Sequence, residues 1–121
     1  MSFINKRIKA FTYAFQGLVS AFKNEAAFKV HLLACVVVAS AGLYVKITAA
    51  EWCVIIICCA LVLISELINT AIEKLCDTIM PEKNENIKFI KDVAAAAVLI
   101  SALCAVIIAI IIFTPYFKYI F

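Results

Sequence analysis

Four residues able to do chemistry stand at the end of a long apolar run. Glu66, Asn69, Glu73 and Asp77 lie in S-E-L-I-N-T-A-I-E-K-L-C-D (65–77), which continues an apolar stretch that begins at Trp52. At about 100° per helical residue, Asn69, Glu73 and Asp77 fall roughly −60°, −20° and +20° from Glu66, so all four share one narrow face. Ionisable groups on an apolar helix are costly unless they face protein, water or a bound ion, and their repetition on one face therefore marks a site.

Two more clusters belong with this stripe. Asn24-Glu25 precedes the first apolar run and Lys91-Asp92 opens the third. Carboxylates with free oxygens suit Mg²⁺ and a lysine suits phosphate oxygens, so the combination fits phosphoryl transfer. Taken singly, Lys91-Asp92 is also the ordinary polarity of a helix start, where the helix dipole favours Asp, and Glu25 is an ordinary interfacial charge. The chain has only Gly17 and Gly42, so it contains no glycine-rich phosphate loop of either common kind. Any nucleotide must be held by side chains and metal.

The elements that carry these residues are membrane helices. Hydrophobic residues make up 67% of the 121 and the mean hydropathy is +1.11, against about 45–50% apolar residues in soluble domains. One domain over residues 1–121 is expected, with spans at 28–47, 52–79 and 91–114, each about long enough to cross roughly 30 Å of hydrocarbon. Between the second and third lies M-P-E-K-N-E-N, whose Pro81 must end a helix. Ahead of the spans, Ile4, Ile8, Phe11, Phe15, Leu18 and Phe22 recur at spacings of four and three with lysines off the stripe. That pattern predicts an amphipathic helix over 3–24 lying in the membrane interface rather than packed on a soluble partner.

Lysine and arginine set the orientation. Lys6, Arg7, Lys9, Lys23 and Lys29 precede the first span and Lys74, Lys83, Lys88 and Lys91 flank the second loop, against Lys46 and Lys118 opposite. The N-terminus and second loop are therefore expected in the cytoplasm, and the net charge of +3 reflects topology and anionic lipid, not nucleic acid. The sequence Ala39-Ser40-Ala41 imitates a signal-cleavage site but lies too far in, behind an amphipathic segment. Cys35, Cys53, Cys58, Cys59 and Cys104 sit in apolar runs without any C-x-x-C, so free, buried thiols are expected. With Trp52 at the outer interface, Glu66 lies about 21 Å deep and Glu73 about 32 Å, at the cytoplasmic boundary. Such a site can join a water-soluble reactant to a membrane-embedded one.

At these residues the chain resembles the prokaryotic diacylglycerol kinase family, which includes the undecaprenol kinases of Gram-positive bacteria. The matching pieces are N-E-A-A-F (24–28), E-L-I-N-T-A-I-E (66–73) with Asp77 following, and K-D-V-A-A-A-A-V (91–98). The resemblance implies an all-α integral membrane protein, an interfacial helix plus three transmembrane helices, assembled as a homotrimer with shared active sites and using ATP and Mg²⁺. By motif position, Glu66 looks like the general base for a lipid hydroxyl, and Glu25 and Glu73 like the metal-binding carboxylates. Asn69, Asp77, Lys91 and Asp92 resemble residues that organise the nucleotide. Where Gram-negative diacylglycerol kinases carry arginine, glutamine and glutamate after N-E-A-A-F, this chain has Lys29, Val30 and His31.

That departure, with Glu51-Trp52 and the Ala-rich run after Lys91-Asp92, favours undecaprenol over diacylglycerol. His31 is then either a substrate contact or an interfacial histidine bonded to a backbone carbonyl. The resemblance implies a bilayer-embedded enzyme of the bacterial inner membrane, active on the cytoplasmic side. Two other classes compete with it. One is a small proton-coupled exporter with Glu66 as proton carrier; the other is a helix-packing protein in which Ser65 and Asn69 only bond neighbouring helices.

Overall fold

The computed structural model describes residues 2–120. Four helices follow one another, α1 (Phe3–Asn24), α2 (Ala26–Val45), α3 (Ala49–Ile79) and α4 (Glu85–Ile120). The last three are long and apolar enough to cross a membrane. The protein is thus an all-α integral membrane protein in which an amphipathic helix precedes three spans.

Ser2 starts α1 by accepting the Asn5 N–H at 3.2 Å, satisfying one of the donors that a helix start leaves free. The apolar stripe of α1, including Ile4, Ile8, Phe11 and Phe15, is exposed, and only Ala21 is buried. An apolar face with none of its own chain on it suits a lipid surface. Glu25 alone separates α1 from α2: its backbone is extended (φ −114, ψ 109) while its N–H still bonds Ala21 O at 2.9 Å.

The tight turn between α2 and α3 is built from both sides. Lys46 takes the left-handed conformation (φ 59), and the Ile47 N–H reaches back to Gly42 O at 3.1 Å, closing the end of α2. Thr48 and Glu51 then form a reciprocal capping box, with bonds of 3.2 and 2.9 Å. The Tyr116 hydroxyl of α4 also donates to Glu51 Oε1. Ile47, Ile55, Ile112 and Phe113 close this end as a buried cluster with Trp52 against it. Gly42 makes room for that ring: a Cβ there would sit 2.9 Å from Trp52 Cη2.

Packing is most extensive between α3 and α4, less between α2 and α3, and α1 packs chiefly on α2. The buried positions of α3 are Ile55, Cys58, Val62, Glu66, Asn69 and Cys76. Their spacing of three, four and seven is one helical stripe. The polar stripe is therefore the continuation of the core stripe: apolar at the turn end of the bundle, polar toward the loop that joins α3 to α4.

Helix limits differ from expectation at the third span and slightly at the others. Helix α2 covers 26–45 rather than 28–47, leaving Ile47 in the turn, and α3 starts at Ala49 rather than 52 because Thr48 caps it. Helix α4 starts at Glu85 rather than 91, since Asn84 Oδ1 accepts the N–H groups of Asn86 and Ile87 at 2.8 and 3.3 Å. It also runs through Pro115 to Ile120 instead of ending at 114. Proline removes one N–H from the ladder, but Phe113 and Tyr116 on either side are held by the buried cluster. All six cysteines are free; Cys58 and Cys76 are buried, whereas Cys53 and Cys104 point outward from the bundle rather than into it.

Candidate active site

The inward face of α3 holds Glu66 at only 4% exposure. Facing it across the α2–α3 interface is His31 of α2, with Nε2 3.6 Å from Glu66 Oε2. Glu25, at the joint between α1 and α2, and Glu73, two turns further along α3, are near enough for their charges to act on Glu66 as well.

One turn on, Asn69 is 7% exposed and donates its Nδ2–H to Glu73 Oε1 at 3.2 Å. Its other polar atom, Oδ1, is buried without a hydrogen-bond partner, an arrangement that is uncommon because an unmet buried acceptor is costly. One turn beyond Glu73, Asp77 pairs with Lys91 of α4 at 2.5 Å. The stripe thus touches α2 through Glu66 and α4 through Asp77.

Asp92 does not join its sequence neighbour. It is exposed and pairs with Lys88 at 2.6 Å, because adjacent residues on a helix point about 100° apart. Lys88 is the partner that sequence reasoning missed, having read it only as a topology charge. The signal was present in its four-residue spacing from Asp92, which places the two on one helical face. Ser65 bonds Val62 O of its own helix at 3.0 Å, and the Asn69–Glu73 bond also stays within α3. Neither bond ties α3 to another helix of this chain.

Two hollows meet this set of residues. A pocket of about 520 Å³ lies over the α3–α4 loop and is walled by Asp77, Lys83, Lys88, Lys91 and Asp92 among others. A groove of about 380 Å³ between α3 and α4 is lined by Ser65, Ile68, Asn69, Ile72, Phe89, Ile90 and Val93. The first offers ammonium groups to an anion such as a phosphate; the second offers an apolar wall with one amide in it. Asp77 borders the first and Asn69 the second. Among the described residues, no three His, Cys, Asp or Glu side chains close into a ready-made metal cage. The Glu25 side chain makes no capping bond.

The family profile of prokaryotic diacylglycerol kinases matches residues 12–113, a range that contains every residue named above in the stripe and its partners. An undecaprenol kinase of Bacillus subtilis is 33% identical over 112 residues, covering 93% of this chain and 91% of that protein. The diacylglycerol kinase of Escherichia coli K12 is 37% identical over 100 residues, covering 83% and 82%. That of Haemophilus influenzae is 39% identical over 100 residues, covering 82% and 83%. Kinases of this kind take their phosphoryl group from a nucleotide donor. On its three membrane spans, its polar stripe and these matches, the chain belongs to the prokaryotic diacylglycerol kinase family and is a lipid kinase.

Proposed function

We propose that the protein transfers the γ-phosphoryl group of MgATP to the hydroxyl of undecaprenol, at the cytoplasmic face of the bacterial inner membrane. The observation that carries this reading is a buried carboxylate, Glu66, set deeper on the same helix than the lysine-walled pocket over the α3–α4 loop. A base for a lipid alcohol belongs on the membrane side of the reaction and the phosphate donor on the water side.

In this reading the lipid hydroxyl approaches Glu66, which accepts its proton as the oxygen attacks the γ-phosphorus. Lys91, held at rest by Asp77, turns its ammonium to the phosphate oxygens, while Asn69, Asp77 and Asp92 organise the nucleotide. His31 flanks the approach of the hydroxyl. Glu25 and Glu73 suit Mg²⁺: both offer hard carboxylate oxygens, Glu25 makes no capping bond and Glu73 has one oxygen that Asn69 does not occupy. Bound there, the metal would neutralise phosphate charge.

A homotrimer with shared sites is supported by the polar groups of α3: the buried Asn69 Oδ1 has no partner within the chain, and polar groups at membrane depth need protein around them. The orientation is supported by the lysines before α2 and around the α3–α4 loop. Undecaprenol is supported by Val30 and His31 at the start of α2 and by the undecaprenol kinase that covers 93% of the chain. Diacylglycerol is the second reading, supported by the relatives of that name at 37% and 39% identity. Purified protein in mixed micelles with labelled ATP, offered each lipid separately, tests both. Undecaprenol should be the faster acceptor; a parent that strongly prefers diacylglycerol refutes the substrate assignment, and transfer to neither refutes the reaction.

A further inference from the structure

The proton that Glu66 takes from a lipid alcohol has to leave a carboxyl group enclosed by protein and lipid. The Glu66 side chain is 6% exposed and that of His31 is 23% exposed, with Nε2 and Oε2 separated by 3.6 Å. His31 is thus both the side chain facing Glu66 and the more open of the two groups. The other charges near Glu66 are Glu25, from the joint before α2, and Glu73, from α3 itself. Both are carboxylates already committed to the nucleotide side, and Glu73 is bonded by Asn69.

We infer that His31 is the proton outlet of Glu66, a positioning and relay residue that resets the base after each transfer. The inference rests on the kinase reading above and deepens it. In the relay His31 takes part as the imidazole that carries its hydrogen on Nδ1, with Nε2 facing Glu66 Oε2 at 3.6 Å, beyond the usual hydrogen-bond range. The substrate O–H bond breaks and its proton goes to Glu66. The substrate oxygen forms its bond to the γ-phosphorus while the bond from that phosphorus to the bridging oxygen breaks, and that electron pair leaves with ADP. Protonated Glu66 now presents a hydrogen to His31 Nε2, the gap closes to a hydrogen bond, and the proton crosses. The product pair is a carboxylate beside an imidazolium. The imidazolium releases its Nδ1 hydrogen to water, which leaves the remaining hydrogen on Nε2. Proton exchange with water or a flip of the ring returns a bare nitrogen to face Glu66 before the next turn. Histidine suits this step because its ordinary pKa lies near neutrality, so it takes and gives a proton without trapping it.

The test compares the parent with His31→Ala and His31→Gln in lipid–detergent micelles, with MgATP and undecaprenol or diacylglycerol, and adds imidazole to each. Proton-transfer groups contribute about 10²–10⁴-fold; a resetting group should matter less than the base, so kcat should fall about ten- to a hundred-fold in both variants. The KM for MgATP should stay within about twofold, since the nucleotide pocket is untouched. Imidazole should restore His31→Ala several-fold, entering the space vacated by the ring, and should leave the parent unchanged. Glutamine can hold Glu66 by a hydrogen bond but cannot carry a proton, so His31→Gln should stay slow even where His31→Ala fails to assemble. Parent-like kcat in His31→Gln would overturn the outlet, and so would an assembled His31→Ala whose loss imidazole does not relieve. Absence of transfer by the parent to either lipid would instead overturn the kinase reading on which the outlet depends.

Discussion

Glu66→Gln keeps the size and planarity of the side chain and removes its ability to accept a proton. General bases contribute about 10²–10⁴-fold, or about 2.7–5.4 kcal/mol of barrier at 1.36 kcal/mol per decade. The surroundings decide where in that range this base falls. Glu66 is 4% exposed, so bulk water is a poor replacement acceptor, which points to the upper end. His31 lies 3.6 Å from the lost oxygen and offers the substrate a less well-placed acceptor, which pulls the estimate down. A fall in kcat of about 10³-fold is expected, with the KM for MgATP little changed. Stability should move the other way or not at all, because a buried carboxylate is costly and a neutral amide of the same shape is often tolerated as well or better. Radiolabel transfer to lipid in mixed micelles measures the first quantity and thermal unfolding in detergent the second. An assembled Glu66→Gln protein with turnover within about threefold of the parent would remove Glu66 as the base and with it the depth argument.

Three further outcomes follow from the same geometry. Glu25→Ala and Glu73→Ala should each lose activity mainly through weaker metal binding, so raised Mg²⁺ should recover part of the loss; metal titrations that overlay the parent refute the ligand assignment. Mixing an inactive Glu25 variant with an inactive Glu66 variant should restore partial activity if sites are shared between protomers, whereas a fully active monomer, by cross-linking or mass measurement, rules out the shared site. Gly42→Ala should lower the thermal midpoint while leaving kcat near the parent value: overpacking against Trp52 at 2.9 Å costs about 1–3 kcal/mol and outweighs the roughly 1 kcal/mol gained from helix propensity. An unchanged or raised midpoint there would show that the Trp52 ring gives way freely.

Much of this molecule is written locally in its chain. Hydropathy needs no partner to be read, so three spans are evident from sequence, and the three–four spacing of Ile4 to Phe22 places the amphipathic helix at 3–24, as observed. The stripe Glu66–Asn69–Glu73–Asp77 follows from helical periodicity alone, and cost in an apolar setting marks it as a site. Residue type also carries the family resemblance, through N-E-A-A-F, E-L-I-N-T-A-I-E and K-D-V-A-A-A-A-V. What a one-dimensional pattern leaves open is which face meets which neighbour. Only packing puts His31 opposite Glu66 and Lys91 opposite Asp77, and turns Asp92 away to Lys88. The same holds for α4: Pro115 and the polar run before residue 91 look like helix limits, yet Asn84 caps the helix early and the cluster around Phe113 and Tyr116 carries it past the proline. Periodicity states what each helix offers, because side-chain direction repeats with the backbone; which offers are accepted depends on how the helices lie against one another, and that is decided by the shape and burial of all of them together.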